Sequence, residues 1–213
     1  MVVHDISPTL GTEAPDYAGD PPFRRSEVAS LAEGAPCNLS LVSMSCHAGA
    51  HLDAPAHFIP GGRSLDSYPA SAFILPALVA TINHPEEIRV EELQRIEPAP
   101  GMALLFKTRN SVRGLMTGRT FTRDWVCLSR EAAQWCVERQ LTMVGIDALS
   151  IDRFHDSSHP AHYALLGAGI LVLEGLNLKG VEPTLYTLIC LPLRLDGAEA
   201  SPVRAVLTDY RQE

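Results

Sequence analysis

A single α/β domain with a mixed sheet is the fold class this sequence predicts, and three features predict it. From residue 77 onward, apolar strand-like runs alternate with segments of helical period, the pattern of strands linked by crossover helices. The chain then closes on two further strand-like runs, TLYTLICLPLRL (184–195) and SPVRAVL (201–207). Its 213 residues, 46% hydrophobic and 20% charged, suit one domain with a substantial core.

The elements follow in order. Pro and Gly gather in the first third, in APDYAGDPP and FIPGGRSLDSYPA, and mark irregular loops. Between them NLSLVSMS (38–45) alternates apolar and polar residues and is expected to be a strand running directly into His47. ALVATI (77–82) reads as a buried strand, VEELQRI (90–96) as a short helix and ALLFK (103–107) as another strand. Ser129 is an N-cap candidate with Glu131 in the first turn. Ala132, Ala133, Cys136 and Val137 then share one helical face. TMVGID (142–147) is a strand ending in an acid, HPAHYALLGAG (159–169) a short helix stopped by Gly167 and Gly169, and ILVLE (170–174) a strand.

Several function classes are excluded. The net charge of −8, from seventeen basic against twenty-five acidic residues, argues against a nucleic-acid footprint. No run approaches the eighteen apolar residues of a membrane helix, and the N-terminus lacks a signal-peptide pattern. Five cysteines without CxxC spacing argue against a disulfide framework and for a reducing, cytoplasmic setting. There is no Rossmann fingerprint and no G-x-S-x-G elbow, and the glycines of GLMTG lack the lysine of a P-loop.

The chemistry concentrates in CHAGAHLDAPAHF (46–58), which holds three of the eight histidines. His51 and Asp53, two apart, project to the same side of an extended backbone. Ala48, Gly49 and Ala50 let the chain turn tightly, so His47 can return to the same point. Pro55 stiffens the exit, and His57 can approach without being a ligand. Imidazole and carboxylate together suit zinc, manganese or iron with a position left open for water. Cys46 alternates out of phase with His47 and is expected to be a core thiol.

A second cluster spans residues 147–176, with Asp147, Asp152, His155, His159, His162 and Glu174 as possible ligands. Glu174 ends an apolar strand, where an acid is costly unless paired or bound to a cation. His155 and His159 are expected on a solvated loop. Spacing alone does not choose His162 over His159.

HAGAHLDAPAH resembles the H-x-G-[TA]-H-x-D-x-P-x-H signature of the metal-dependent cyclase family, which includes bacterial kynurenine formamidases and isatin hydrolases. HDISPTL, YAGDPPF, VGIDALSID, LVLEGLNL and the closing LPLRL…SPVRAVL also look like family segments. The resemblance implies a swivelling β/β/α domain over residues 1–213, in a homodimer or larger oligomer such as a tetramer. It assigns His47, His51 and Asp53 to a first metal. Asp53 would bridge to a second metal held by His162 and Glu174, and His57 would be the general acid/base. Tyr17 stands in YAGD where formamidases carry an aromatic-Pro-Gly-Asp segment, so it is the expected substrate contact. The stretch 107–125 looks longer than in compact formamidases.

The expected activity is metal-assisted hydrolysis of a small aromatic amide, with one or two divalent ions, zinc first and manganese second. N-formylkynurenine, a substrate of tryptophan catabolism, would give kynurenine and formate. The same metal chemistry on a lactam such as isatin, another aryl amide or a lactone, or in a cyclisation or dehydration, is the alternative. A metal-binding protein without catalysis is a third reading. No nucleic-acid or membrane partner is expected.

Overall fold

A computed structural model describes residues 2–210; Met1 and residues 211–213 of the expected domain lie outside the described residues. The strands are β1 (Val3–Asp5), β2 (Arg24–Ala29), β3 (Leu39–Ser43), β4 (His51–Asp53), β5 (Ile74–Thr81), β6 (Glu87–Ile88) and β7 (Ala103–Lys107). After them come β8 (Cys127–Leu128), β9 (Met143–Ile146), β10 (Leu171–Glu174), β11 (Leu185–Ile189), β12 (Ala200–Pro202) and β13 (Val206–Asp209). The α-helices are α1 (Val90–Leu93), α2 (Arg109–Val112), α3 (Arg130–Glu138) and α4 (Pro160–Gly167). Among the described residues, no helix is long and apolar enough to cross a membrane.

Nine strands form one mixed sheet in the order β1-β13-β11-β5-β7-β9-β10-β4-β12. Its centre, β5-β7-β9-β10, is parallel, and the flanking strands pair antiparallel. Parallel strands are buried on both faces, which is why ALLFK and MVGI read as continuous apolar runs. Leu104, Phe106, Val144, Ile146 and Val172 face one core, shared with α3 and α4. Their alternates Ala103, Leu105, Met143, Leu171 and Leu173 face a second. That second core includes both Leu207 of β13 and Leu52 of β4, from opposite ends of the strand order, so the sheet curls over it.

The helix starting after Ser129 is where the sequence places it, and the Ser129 hydroxyl accepts from the Ala132 N–H. Other elements depart from expectation. The strand expected over 38–45 ends at Ser43, and a turn rather than a strand delivers His47. It pairs with β2 in a separate two-stranded hairpin whose β3 residues are all exposed, so its alternation does not reflect a buried face. The run 184–195 is strand only to Ile189; Leu191, Leu193 and Leu195 are exposed. SPVRAVL is split between β12 and β13, because the chain leaves one end of the sheet for the other between them. The helix expected over 90–96 stops at Leu93.

Candidate metal centre and cleft

Register builds the site. β4 lies between β10 and β12, and Glu174 is the cross-strand partner of His51. His51 and Asp53 are two apart on β4, so their side chains leave the same face. The preceding turn is made by the small residues the sequence marks. Ala48 and Ala50 are buried, and Gly49 adopts a left-handed φ of 63°. Ser45 ties this turn to Asp20: its hydroxyl donates to the Asp20 carboxylate and accepts from the His47 N–H. His162 arrives from α4, in the crossover between β9 and β10.

These residues converge. His47 Nδ1 is 2.9 Å from Asp53 Oδ1 and His51 Nε2 is 3.5 Å from the same oxygen. His162 Nε2 is 3.5 Å from Asp53 Oδ2 and 3.2 Å from Glu174 Oε1, and His51 Nε2 is 3.4 Å from Glu174 Oε2. His47, Asp53 and His57 offer one ligand atom each within 4.8 Å of one another, as do His51, Asp53 and Glu174.

Two rings are oriented from behind. His51 Nδ1 donates to the Gly49 carbonyl at 2.9 Å, and His162 Nδ1 donates to Asp152 Oδ2 at 2.6 Å. With the Nδ1–H of each ring held by an acceptor behind it, Nε2 is the nitrogen turned to the carboxylates, an arrangement typical of metal ligands. Asp152 thus aims His162 and also accepts from the Ala161 and His162 backbone N–H groups; with His159 and His162 it offers a third set of ligand atoms within 4.8 Å of one another, so it stays a possible ligand. Asp147 is not brought to the centre. Its carboxylate accepts from the Thr108 and Ser111 N–H groups and the Thr108 hydroxyl, so it anchors the start of α2 away from the centre.

The centre is polar, buried and underpaired. His51, Asp53, His162 and Glu174 are all at most 3% exposed. His51 Nε2 and both Asp53 oxygens are buried without a hydrogen-bond partner; their contacts, at ion-pair distances, are too long or poorly directed to count as hydrogen bonds. An orphaned buried polar atom costs about 1–3 kcal/mol, more if charged, and a shared cation would satisfy all three. The donor set fits a divalent metal. Burial opposes charge on His51, but Asp53 and Glu174 outweigh it and push the ring up to about 9. Burial likewise opposes ionisation of Asp53, and the surrounding histidines, His51 foremost, hold its carboxyl well below the usual range.

His57 lies in a short 3-10 turn, Pro55–His57, with its ring 4.2 Å from that of His47 and 4.5 Å from Phe58. Burial pushes its imidazole down to about 4, the pull of Asp53 notwithstanding, so the ring is uncharged at neutral pH. A cleft of about 220 Å³ opens over the centre, with His47, His51, His57, His162 and Glu174 in its lining and Tyr17, Phe58, Leu149 and His159 on its walls. Tyr17 packs against Phe121, Trp125 and Phe154. The stretch 107–125 thus supplies two of the aromatic rings that buttress this wall.

His155 is exposed, as expected, whereas His159 is not on a solvated loop. It is half-buried on the cleft wall beside Phe58, in a left-handed conformation with φ 44° before Pro160. Cys46 is only half-buried, not a core thiol, and all five cysteines are free.

The family model described as "Putative cyclase" matches residues 4–153. The chain is 34% identical over 211 residues to a kynurenine formamidase of Salinibacter ruber, covering 98% of each chain. The chain belongs to the cyclase family. Among solved structures it resembles a "predicted metal-dependent hydrolase" from Bacillus stearothermophilus, with TM-score 0.82, 29% identity and 97% of each chain covered. It also resembles isatin hydrolase A from Labrenzia aggregata bound to benzyl benzoate, with TM-score 0.85, 26% identity and coverage of 99% of this chain and 94% of that one. The mixed α/β fold of this cyclase-family chain is thus shared along nearly its whole length.

One glycine guards the centre. Gly175, directly after Glu174, has φ 73°, and a Cβ there would lie 2.1 Å from the Gly49 carbonyl oxygen that orients His51. Gly180 has φ 77° with open space around it. Gly180→Ala is expected to cost only the backbone strain of about 1–2 kcal/mol, a Tm loss of roughly 2–8 °C. Gly175→Ala is expected to lose more and also to lower bound metal per chain, read by elemental analysis. Equal metal content in the two variants would contradict this role for the Gly49 carbonyl.

Proposed function

We propose that the protein is a metal-dependent amidohydrolase of small aryl amides, of the kynurenine formamidase type. His47, His51, Asp53, His162 and Glu174 hold one or two divalent ions, and His57 is the general acid/base. The observation that carries this reading is the buried trio of unpartnered atoms, His51 Nε2 and both Asp53 oxygens, at the foot of an aromatic-walled cleft. A kynurenine formamidase of similar length and an isatin hydrolase of similar fold support the amide as the bond attacked. Zinc suits the imidazole and carboxylate donors best, with manganese next.

A divalent ion held by these residues would supply Lewis-acid polarisation of the amide carbonyl and would lower the pKa of water at the centre from about 16 towards about 7. His57 accepts the proton released as water adds to the carbonyl, then delivers it to the departing nitrogen as the C–N bond breaks. For N-formylkynurenine the products are formate and kynurenine. Asp152 and the Gly49 carbonyl keep His162 and His51 in the tautomer that presents Nε2. Tyr17 and Phe58 flank the space above them, where an aryl ring can lie against their faces. The working form is a homodimer or tetramer in the cytoplasm, and the domain spans the full chain.

Steady-state assays of the zinc-loaded and manganese-loaded protein against N-formylkynurenine and isatin test this. Turnover of N-formylkynurenine is expected; hydrolysis of isatin with negligible turnover of N-formylkynurenine would move the substrate to the lactams, which the likeness to isatin hydrolase A favours as the second reading.

A further inference from the structure

Three histidines of the centre follow one rule. His51 and His162 each turn one nitrogen towards the carboxylates and the other towards an acceptor behind the ring. His47 turns Nδ1 to Asp53, and its Nε2 lies 3.5 Å from Glu199 Oε1. We propose that Glu199 is the positioning residue for His47, accepting from Nε2–H so that the Nδ1 lone pair is left for a metal ion. The proposal rests on the metal centre described above, and it adds an acid that neither histidine cluster contains.

The chain around Glu199 is built to keep it there. Glu199 immediately precedes β12, whose Ala200 pairs with Asp53, and its own carbonyl accepts from the Ala54 N–H at 2.8 Å. One residue earlier, the Ala198 carbonyl accepts from the Leu65 N–H. The Gly197 N–H donates to Asp66 Oδ1, which Ser64 also engages. The loop is thus tied to residues on either side of His57, at Ala54 before it and at Leu65 and Asp66 after it. The backbone that carries Glu199 is therefore fixed beside His47, while its side chain is 42% exposed. An acceptor on the outer nitrogen fixes the tautomer and ring angle of a ligating histidine and raises its basicity.

The test is zinc affinity of the full chain, measured by competition with a chromophoric chelator, for wild type, Glu199→Ala, Glu199→Gln, Asp196→Ala and His51→Ala. Glu199→Ala is expected to weaken zinc about 10–100-fold, the usual effect of removing such a partner. Glu199→Gln is expected to recover most of that loss, because an amide oxygen still accepts the ring N–H. Asp196→Ala, on the same loop, is expected to match wild type and so controls for general charge. An unchanged affinity in Glu199→Ala, beside a clear loss in His51→Ala, would overturn the proposal alone. Glu199→Gln as weak as Glu199→Ala would also overturn it, since charge rather than orientation would then be at work. Unchanged affinity in His51→Ala would overturn the metal centre itself and this proposal with it.

Discussion

Asp53→Asn is expected to strip the protein of metal and reduce kcat/KM by about a thousandfold or more. Asp53 is fully buried and faces three imidazoles, with His47 at 2.9 Å and His51 and His162 at 3.5 Å. Its two oxygens, unpartnered within the protein, face His47 and His51 on one side and His162 on the other, and under the proposed function they would serve the bound metal from both sides. A neutral amide keeps the shape but removes the charge that this role needs. Lewis-acid stabilisation is worth several kcal/mol, and each 1.4 kcal/mol is a tenfold in rate, which gives the thousandfold figure. Removing one partner of a buried charged cluster costs about 3–5 kcal/mol, so Tm is expected to fall by roughly 6–20 °C. Elemental analysis, steady-state kinetics and a thermal melt on one preparation read all three. Stoichiometric metal in Asp53→Asn would remove it from the ligand set.

His57→Ala is expected to do the opposite to metal and much the same to rate. Metal content should stay at the wild-type level while kcat falls about 10²–10⁴-fold, the usual contribution of a positioned acid/base. The reason lies in its surroundings. His57 packs against the His47 and Phe58 rings, and burial keeps it uncharged and able to accept a proton. Its nitrogens also lie close enough to His47 and Asp53 to join a ligand set, so the two roles make different predictions. Metal lost in proportion to activity would make His57 a ligand. Full activity in the variant would remove it from the chemistry altogether.

Much of this was legible in the sequence where the cause is local. The run ALLFK is the strand Ala103–Lys107, and Ser129 caps the helix Arg130–Glu138, because apolar continuity and a capping hydroxyl act within a few residues. His51 and Asp53 share a face because the two-residue period of a strand requires it. What pairs with that strand was not legible. Glu174 opposes His51 through a register between segments more than a hundred residues apart, and composition carries no record of register. That Asp152 orients the His162 ring is not legible either, because the two lie ten residues apart. His159 looked like loop polarity because Ser, Asp and Pro surround it, yet its left-handed backbone turns it onto the cleft wall. Glu199 sits in an exposed-looking acidic loop, LDGAEA, and only the pairing of Ala200 with Asp53 brings it to His47.

The most direct test of the metal centre is a crystal structure of the metal-replete protein with anomalous diffraction recorded at the metal edge. An anomalous peak is expected within ligand distance, about 2.0–2.2 Å for zinc, of a His51 nitrogen and an Asp53 oxygen, with His57 beside it and not bound. A metal-replete crystal in which neither His51 nor Asp53 touches an ion would contradict this expectation.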